Sequence, residues 1–122
     1  MSKEKDFENR LTDFSVEIIK FCKSIPESTT TRPIINQLAK SGTSMGANYC
    51  EANNASSRTD FKAKIFICKK EARETKYWLQ IIIRTEPALK IEAEKLWQEC
   101  HEFSLIFQKI VSTMNNKSSN EK

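Results

Sequence analysis

A chain of 122 residues with 2 glycines, 3 prolines and 30% charged residues fits one domain that folds on its own core without disulfide or metal staples. No run approaches the roughly 18 apolar residues of a membrane span. The opening MSKEKDFENR lacks the apolar stretch of an export signal, so a cytoplasmic location is expected. The net charge of +4 permits an anionic partner without requiring one.

Four apolar stripes at helical spacing follow one another. The first is Phe7, Leu11, Phe14, Ile18, Cys22 and Ile25, and it stops at Ile25-Pro26 because a residue before proline is pushed out of helical geometry. A Ser- and Thr-rich loop, Glu27 to Arg32, leads to Pro33, which a helix tolerates in its first turn. The second stripe is Ile34, Ile35, Leu38, Gly42, Met45, Tyr49 and Ala52, and it runs out in the polar stretch Asn53 to Ser57. Ser57 or Thr59 is placed to cap the third helix. Its stripe is Phe61, Ile65, Cys68, Ala72, Thr75, Leu79 and Ile82, ended by Glu86-Pro87. The fourth is Leu89, Ala93, Leu96, Cys100, Phe103, Phe107, Ile110 and Met114. Long amphipathic helices joined by short loops predict an all-α fold, an antiparallel up-down-up-down four-helix bundle. The bundle domain is expected over residues 1–114 and a disordered polar tail over 115–122.

The four cysteines, Cys22, Cys50, Cys68 and Cys100, form no CxxC pair, so neither zinc nor thioredoxin-like chemistry is indicated. They read as free thiols packed as small hydrophobes, one to a helix. The lone histidine, His101, follows Cys100, but neighbours on a helix point about 100° apart. No second histidine, paired carboxylate or Gly-rich phosphate loop accompanies it. No metal, no cofactor and no enzymatic activity are expected.

Helix two carries a polar strip, Gln37, Ser41, Ser44, Asn48 and Glu51, beside Gly42 and Gly46. It reads either as a binding strip or as close packing in which these groups hydrogen-bond to another helix or subunit. Glycine inside a helix costs about 1 kcal/mol against alanine, and a close backbone approach is the simplest reason to accept it.

Helix three is the most informative. Arg58, Lys62, Lys69, Arg73 and Lys76 fall within a wedge of about 60°. From Arg58 to Lys76 there are seven basic and three acidic residues, an excess that equals the net charge of the whole chain. Such a stripe suits phosphate groups; its alternative is a solvated face with ion pairs within the helix. Ala63, Ile67, Trp78 and Ile81 lie on the side away from the core stripe, with Phe66 and Tyr77 nearby, a pattern that points to self-association or to deeper burial.

The stretch from Gln37 to Ala52, QLAKSGTSMGANYCEA, together with Asp60-Phe61 and Lys69 to Leu79, KKEARETKYWL, resembles the bacterial four-helix bundle proteins encoded within intervening sequences of 23S ribosomal RNA genes. The resemblance spans about residues 7 to 112, and both motifs are present at the family's spacing. Lys40 and Gly42 stand where that family more often has arginine and alanine. The resemblance implies an antiparallel bundle that assembles as a homopentamer around a central channel. It also implies kinship with the accessory variability protein of diversity-generating retroelements, which is basic and binds nucleic acid and a reverse transcriptase. The expected function is that of an oligomeric nucleic-acid-binding accessory protein, with RNA ahead of DNA as partner. The alternative is a protein-interaction scaffold that binds no nucleic acid.

Overall fold

Helix caps and proline breaks divide the chain where the sequence pattern says they should. The computed structural model describes residues 2–120, with side chains described through residue 116. Its helices are α1 (Lys3–Ser24), α2 (Thr31–Asn53), α3 (Arg58–Thr85) and α4 (Lys90–Asn120), with one 3-10 turn at Pro87–Leu89 before α4. No strand occurs among the described residues.

Ser2 caps α1, its Oγ accepting from Lys5 N at 3.1 Å, and Glu4 and Asp6 place negative charge in the first turn, where the helix dipole favours it. Ile25 is extended and α1 ends before it. In the loop, buried Thr31 donates from Oγ1 to Pro26 O at 2.7 Å and accepts from Ser28 N at 2.8 Å. Pro33 sits in the first turn of α2. Of the two candidate caps for α3 it is Ser57 that acts, accepting from Asp60 N at 3.0 Å, and Thr59 lies inside the helix.

Side-chain registers define the topology. Cys22 reaches Ile35 O, Gly42 faces Ile18 and Gly46 faces Leu11, so α1 and α2 run antiparallel. Lys64 meets Glu51, Cys68 meets Met45 O and Thr75 meets Ser41, so α2 and α3 do too. Lys62 meets Asn115, Cys100 meets Ala72 O and Lys76 meets His101, which makes α4 antiparallel to α3. Phe7 lies against Phe107 and Phe14 against Phe103, closing α4 onto α1. The result is an up-down-up-down four-helix bundle whose α1–α4 seam is the least extensive.

Leu11, Ile18, Leu38, Ile65, Phe103 and Phe107 are among the fully buried side chains at its centre. Phe21 is buried although it lies off the first stripe. On α4 the stripe turns by one residue at its end: Val111 is buried, whereas Ile110 and Met114 are only half-buried. The α4 backbone stays helical past Met114 to Asn120, through most of the segment expected as a tail; Glu121 and Lys122 lie outside the described residues.

Candidate nucleic-acid interface

Helix α3 packs its Ile65–Leu79 side on the core, against α2 on one flank and α4 on the other. The basic wedge lies on the α4 flank. Arg58 donates to Met114 O at 3.0 Å, and Lys62 donates to Asn115 Oδ1. Lys76 sits lower in the α3–α4 groove, its Nζ 3.2 Å from His101 Nδ1, 3.4 Å from Ser104 Oγ and 5.6 Å from the Trp97 ring. An ammonium group has no lone pair, so His101 Nδ1 is the acceptor in that contact. The imidazole itself stacks on Trp97, with centroids 5.1 Å apart. Lys69 and exposed Arg73 occupy the middle of the wedge. The five residues share one side of α3, with Arg58, Lys62 and Lys76 engaged by α4 and Lys69 and Arg73 between them.

Extending the wedge to about 120° adds Lys70 and Arg84, both exposed, and still no carboxylate. Glu71 and Glu74 of α3 fall outside that sector, as does Asp60. Lys69, Lys70, Arg73 and Arg84 form no ion pair among the described residues. Two rings accompany them. Phe66 is 46% exposed, with Lys69 Nζ 5.4 Å and Lys62 Nζ 6.0 Å from its centroid, and Tyr77 is 57% exposed. Lys70, Arg84 and the rings were accessible to sequence reading: Phe66, Lys70, Arg73 and Tyr77 recur at i, i+4, i+7 and i+11.

The apolar sector of α3 lies beside this face. Ala63 and Ile67 are exposed, whereas Trp78 and Ile81 are half-buried. Trp78 packs against the core, and its Nε1 is buried without an acceptor among the described residues.

The polar strip of α2 separates into different roles. Buried Ser41 Oγ lies 2.9 Å from buried Thr75 Oγ1, a cross-helix contact. Ser44 and Asn48 bond back to their own helix, to Lys40 O and Ser44 O. Glu51 pairs with Lys64 at 3.2 Å, and Gln37 is exposed. Nothing in this strip converges on a common point.

The chemistry available elsewhere is sparse. Burial pushes the Cys68 and Cys100 thiols up to about 12 and Cys22 up to about 11, so none is a thiolate at neutral pH. Cys100 donates to Ala72 O at 3.3 Å, away from His101. Among the described residues no cluster of three or more His, Cys, Asp or Glu is placed to hold a metal ion, and no helix is long and apolar enough to cross a membrane.

Comparison with known proteins agrees with this architecture. Residues 3–109 match the model of a family described as 23S rRNA-intervening sequence protein. A solved structure from Bacteroides thetaiotaomicron, a protein of unknown function from the S23 ribosomal protein family, superposes with a TM-score of 0.81 at 33% sequence identity. The alignment covers 91% of this chain and 99% of that one. No curated protein sequence matches.

Proposed function

The chain belongs to the family of 23S rRNA-intervening sequence proteins, and on that footing we propose that it is a non-enzymatic, oligomeric accessory protein that binds nucleic acid, RNA ahead of DNA. The observation that carries this reading is the acid-free face of α3. Arg58, Lys62, Lys69, Arg73 and Lys76 line it, and Lys69 and Arg73 form no ion pair among the described residues. Cations spaced along about 27 Å of helix (18 residues at 1.5 Å each), with no acid in their sector, complement the phosphate backbone in charge and match it in linear extent. They supply affinity with little base readout. The ribosomal protein family to which the solved relative is assigned puts RNA ahead of DNA as the ligand.

Self-association supports the same role. Ala63, Ile67, Trp78 and Ile81 occupy the neighbouring sector, and a second subunit there would cover exposed Ala63 and Ile67. Several copies of a weak phosphate face then act together through avidity; the family resemblance suggests five.

The test is fluorescence anisotropy with a labelled structured RNA across a salt series. Affinity should fall steeply with salt, and Lys69→Glu with Arg73→Glu should weaken binding strongly and flatten the log–log salt slope by about 2. Circular dichroism of the double variant should be unchanged, because both side chains are off the core. Absence of binding even at low salt would leave α3 an ordinary solvated face and favour the protein scaffold.

A further inference from the structure

Phosphate binding accounts for the cations of α3 but not for the two rings set among them. Phe66 and Tyr77 are the most exposed aromatic side chains on that helix. Eleven residues apart, they fall on nearly one line, about 20° off after three turns and about 16 Å apart along the axis. Lys70 and Arg73 stand between them, and Lys62 and Lys69 flank Phe66. Building on the RNA-binding reading, we propose that the ligand of this face is an unpaired RNA strand, whose bases stack on Phe66 and Tyr77 while Lys62, Lys69, Lys70 and Arg73 hold the phosphates between and beside them.

The alternation of ring and cation is what distinguishes a single strand from a duplex. In an A-form duplex the bases are stacked on one another and the protein meets phosphates and 2′-hydroxyls, so exposed rings gain nothing. In an unpaired strand every base has a free π-face, and aromatic platforms set in a basic groove recognise it irrespective of sequence. On the α4 wall beside the stripe, Trp97, His101, Ser104 and Gln108 carry no negative charge; Glu94 lines the groove only at its lower end, beside Gln80 and together with Lys90. A second copy of the chain laid two-fold symmetrically on this face would oppose cation to cation. The apolar sector of Ala63, Ile67 and Ile81 lies further round the helix and stays available for subunit contact.

The experiment compares wild type, Phe66→Ala/Tyr77→Ala, Phe66→Leu/Tyr77→Leu and Lys69→Glu/Arg73→Glu, each checked for helicity and for molar mass by light scattering. Each is titrated with a labelled oligouridine and with an RNA duplex of equal length. The expected result is tighter binding of the single strand by wild type and a loss of about ten-fold or more in that affinity for both ring variants. Their salt slope should be unchanged, and duplex affinity should be unaffected. If the ring variants bind oligouridine like wild type while charge reversal abolishes binding, stacking is overturned and the phosphate-binding reading survives. If wild type binds neither RNA, both fall together. If the ring variants change molar mass and leave RNA affinity intact, the rings belong to a contact between copies and the proposal is wrong.

Discussion

Gly42 stands so close to Ile18 that a Cβ on the glycine would lie 2.8 Å from Ile18 Cγ2 and 3.0 Å from Cγ1. Ile18 is fully buried and branched at the very atoms in contact, so it cannot swing clear. Gly46, one turn on, is different: its nearest neighbour would be Leu11 Cβ at 3.5 Å, an ordinary contact. Gly42→Ala should therefore lose stability, because overpacking of about 1–3 kcal/mol outweighs a helix-propensity gain of about 1 kcal/mol. Gly46→Ala should hold or gain up to about 1 kcal/mol. Urea unfolding followed by circular dichroism separates the two, and equal effects would contradict this account of why helix two carries glycine.

The hydroxyls of Ser41 and Thr75 form a buried polar pair between α2 and α3. Thr75→Val removes one partner and leaves Ser41 with only the long contact to Leu38 O at 3.5 Å, at a cost of about 1 kcal/mol. Ser41→Ala/Thr75→Val removes both and should recover part of that loss. A double-mutant cycle that shows simple additivity would mean the two groups are not coupled.

Thiol chemistry should be ordered by burial. Cys50 is the only half-buried cysteine, donating to Glu8 Oε1 at 3.4 Å, while Cys22, Cys68 and Cys100 are buried. With Ellman's reagent at mildly alkaline pH the native protein should release one equivalent first, traced to Cys50 by Cys50→Ser. The other three should react on the timescale of unfolding. Early reaction of Cys68 or Cys100 would show that the α2–α3–α4 core opens locally.

Glu8 links α1 to the end of α2. The Asn53 amide, donating at 2.8 Å, is the main cause that holds its carboxyl below the ordinary value of 4.5, with the Cys50 thiol next. A carboxylate depressed in the folded state contributes stability above its unfolded value and loses it as pH falls through the folded one. Wild type should thus lose more melting temperature than Glu8→Gln as the pH is lowered from neutral to below 4.5. Parallel curves would remove Glu8 from the acid response.

Much of this was legible before any coordinates, and the exceptions share a cause. Leu11, Ile18, Leu38, Ile65 and Phe103 are buried where helical spacing puts them, and Pro26, Ser57 and Pro87 mark real boundaries. Each of those signals is local to one helix. Whether Ile110 or Val111 turns inward depends on where α4 meets its neighbours, and one residue of difference is about 100°. Lys76 reads as one more solvated cation on α3; its contacts with His101 and Trp97 come from another helix. Ser41 reads as part of a polar strip because Thr75, its partner, lies 34 residues away.

The sparse α1–α4 seam has a consequence for how the chain assembles. Each of the other seams joins helices that are neighbours along the chain, so each can form as a local helical hairpin. Only this one brings together Arg10 and Glu99, 89 residues apart, by a two-pronged guanidinium contact at 3.1 Å that Glu102 extends. Phe7, set against Tyr49, Phe103 and Phe107, supplies its apolar part. A topology so rich in near-neighbour contacts folds fast, and the joining of first helix to last is its one closure between helices that are not chain neighbours. The bundle is a ribbon of three hairpins rolled until its edges touch, with one arginine and one cluster of rings as the latch.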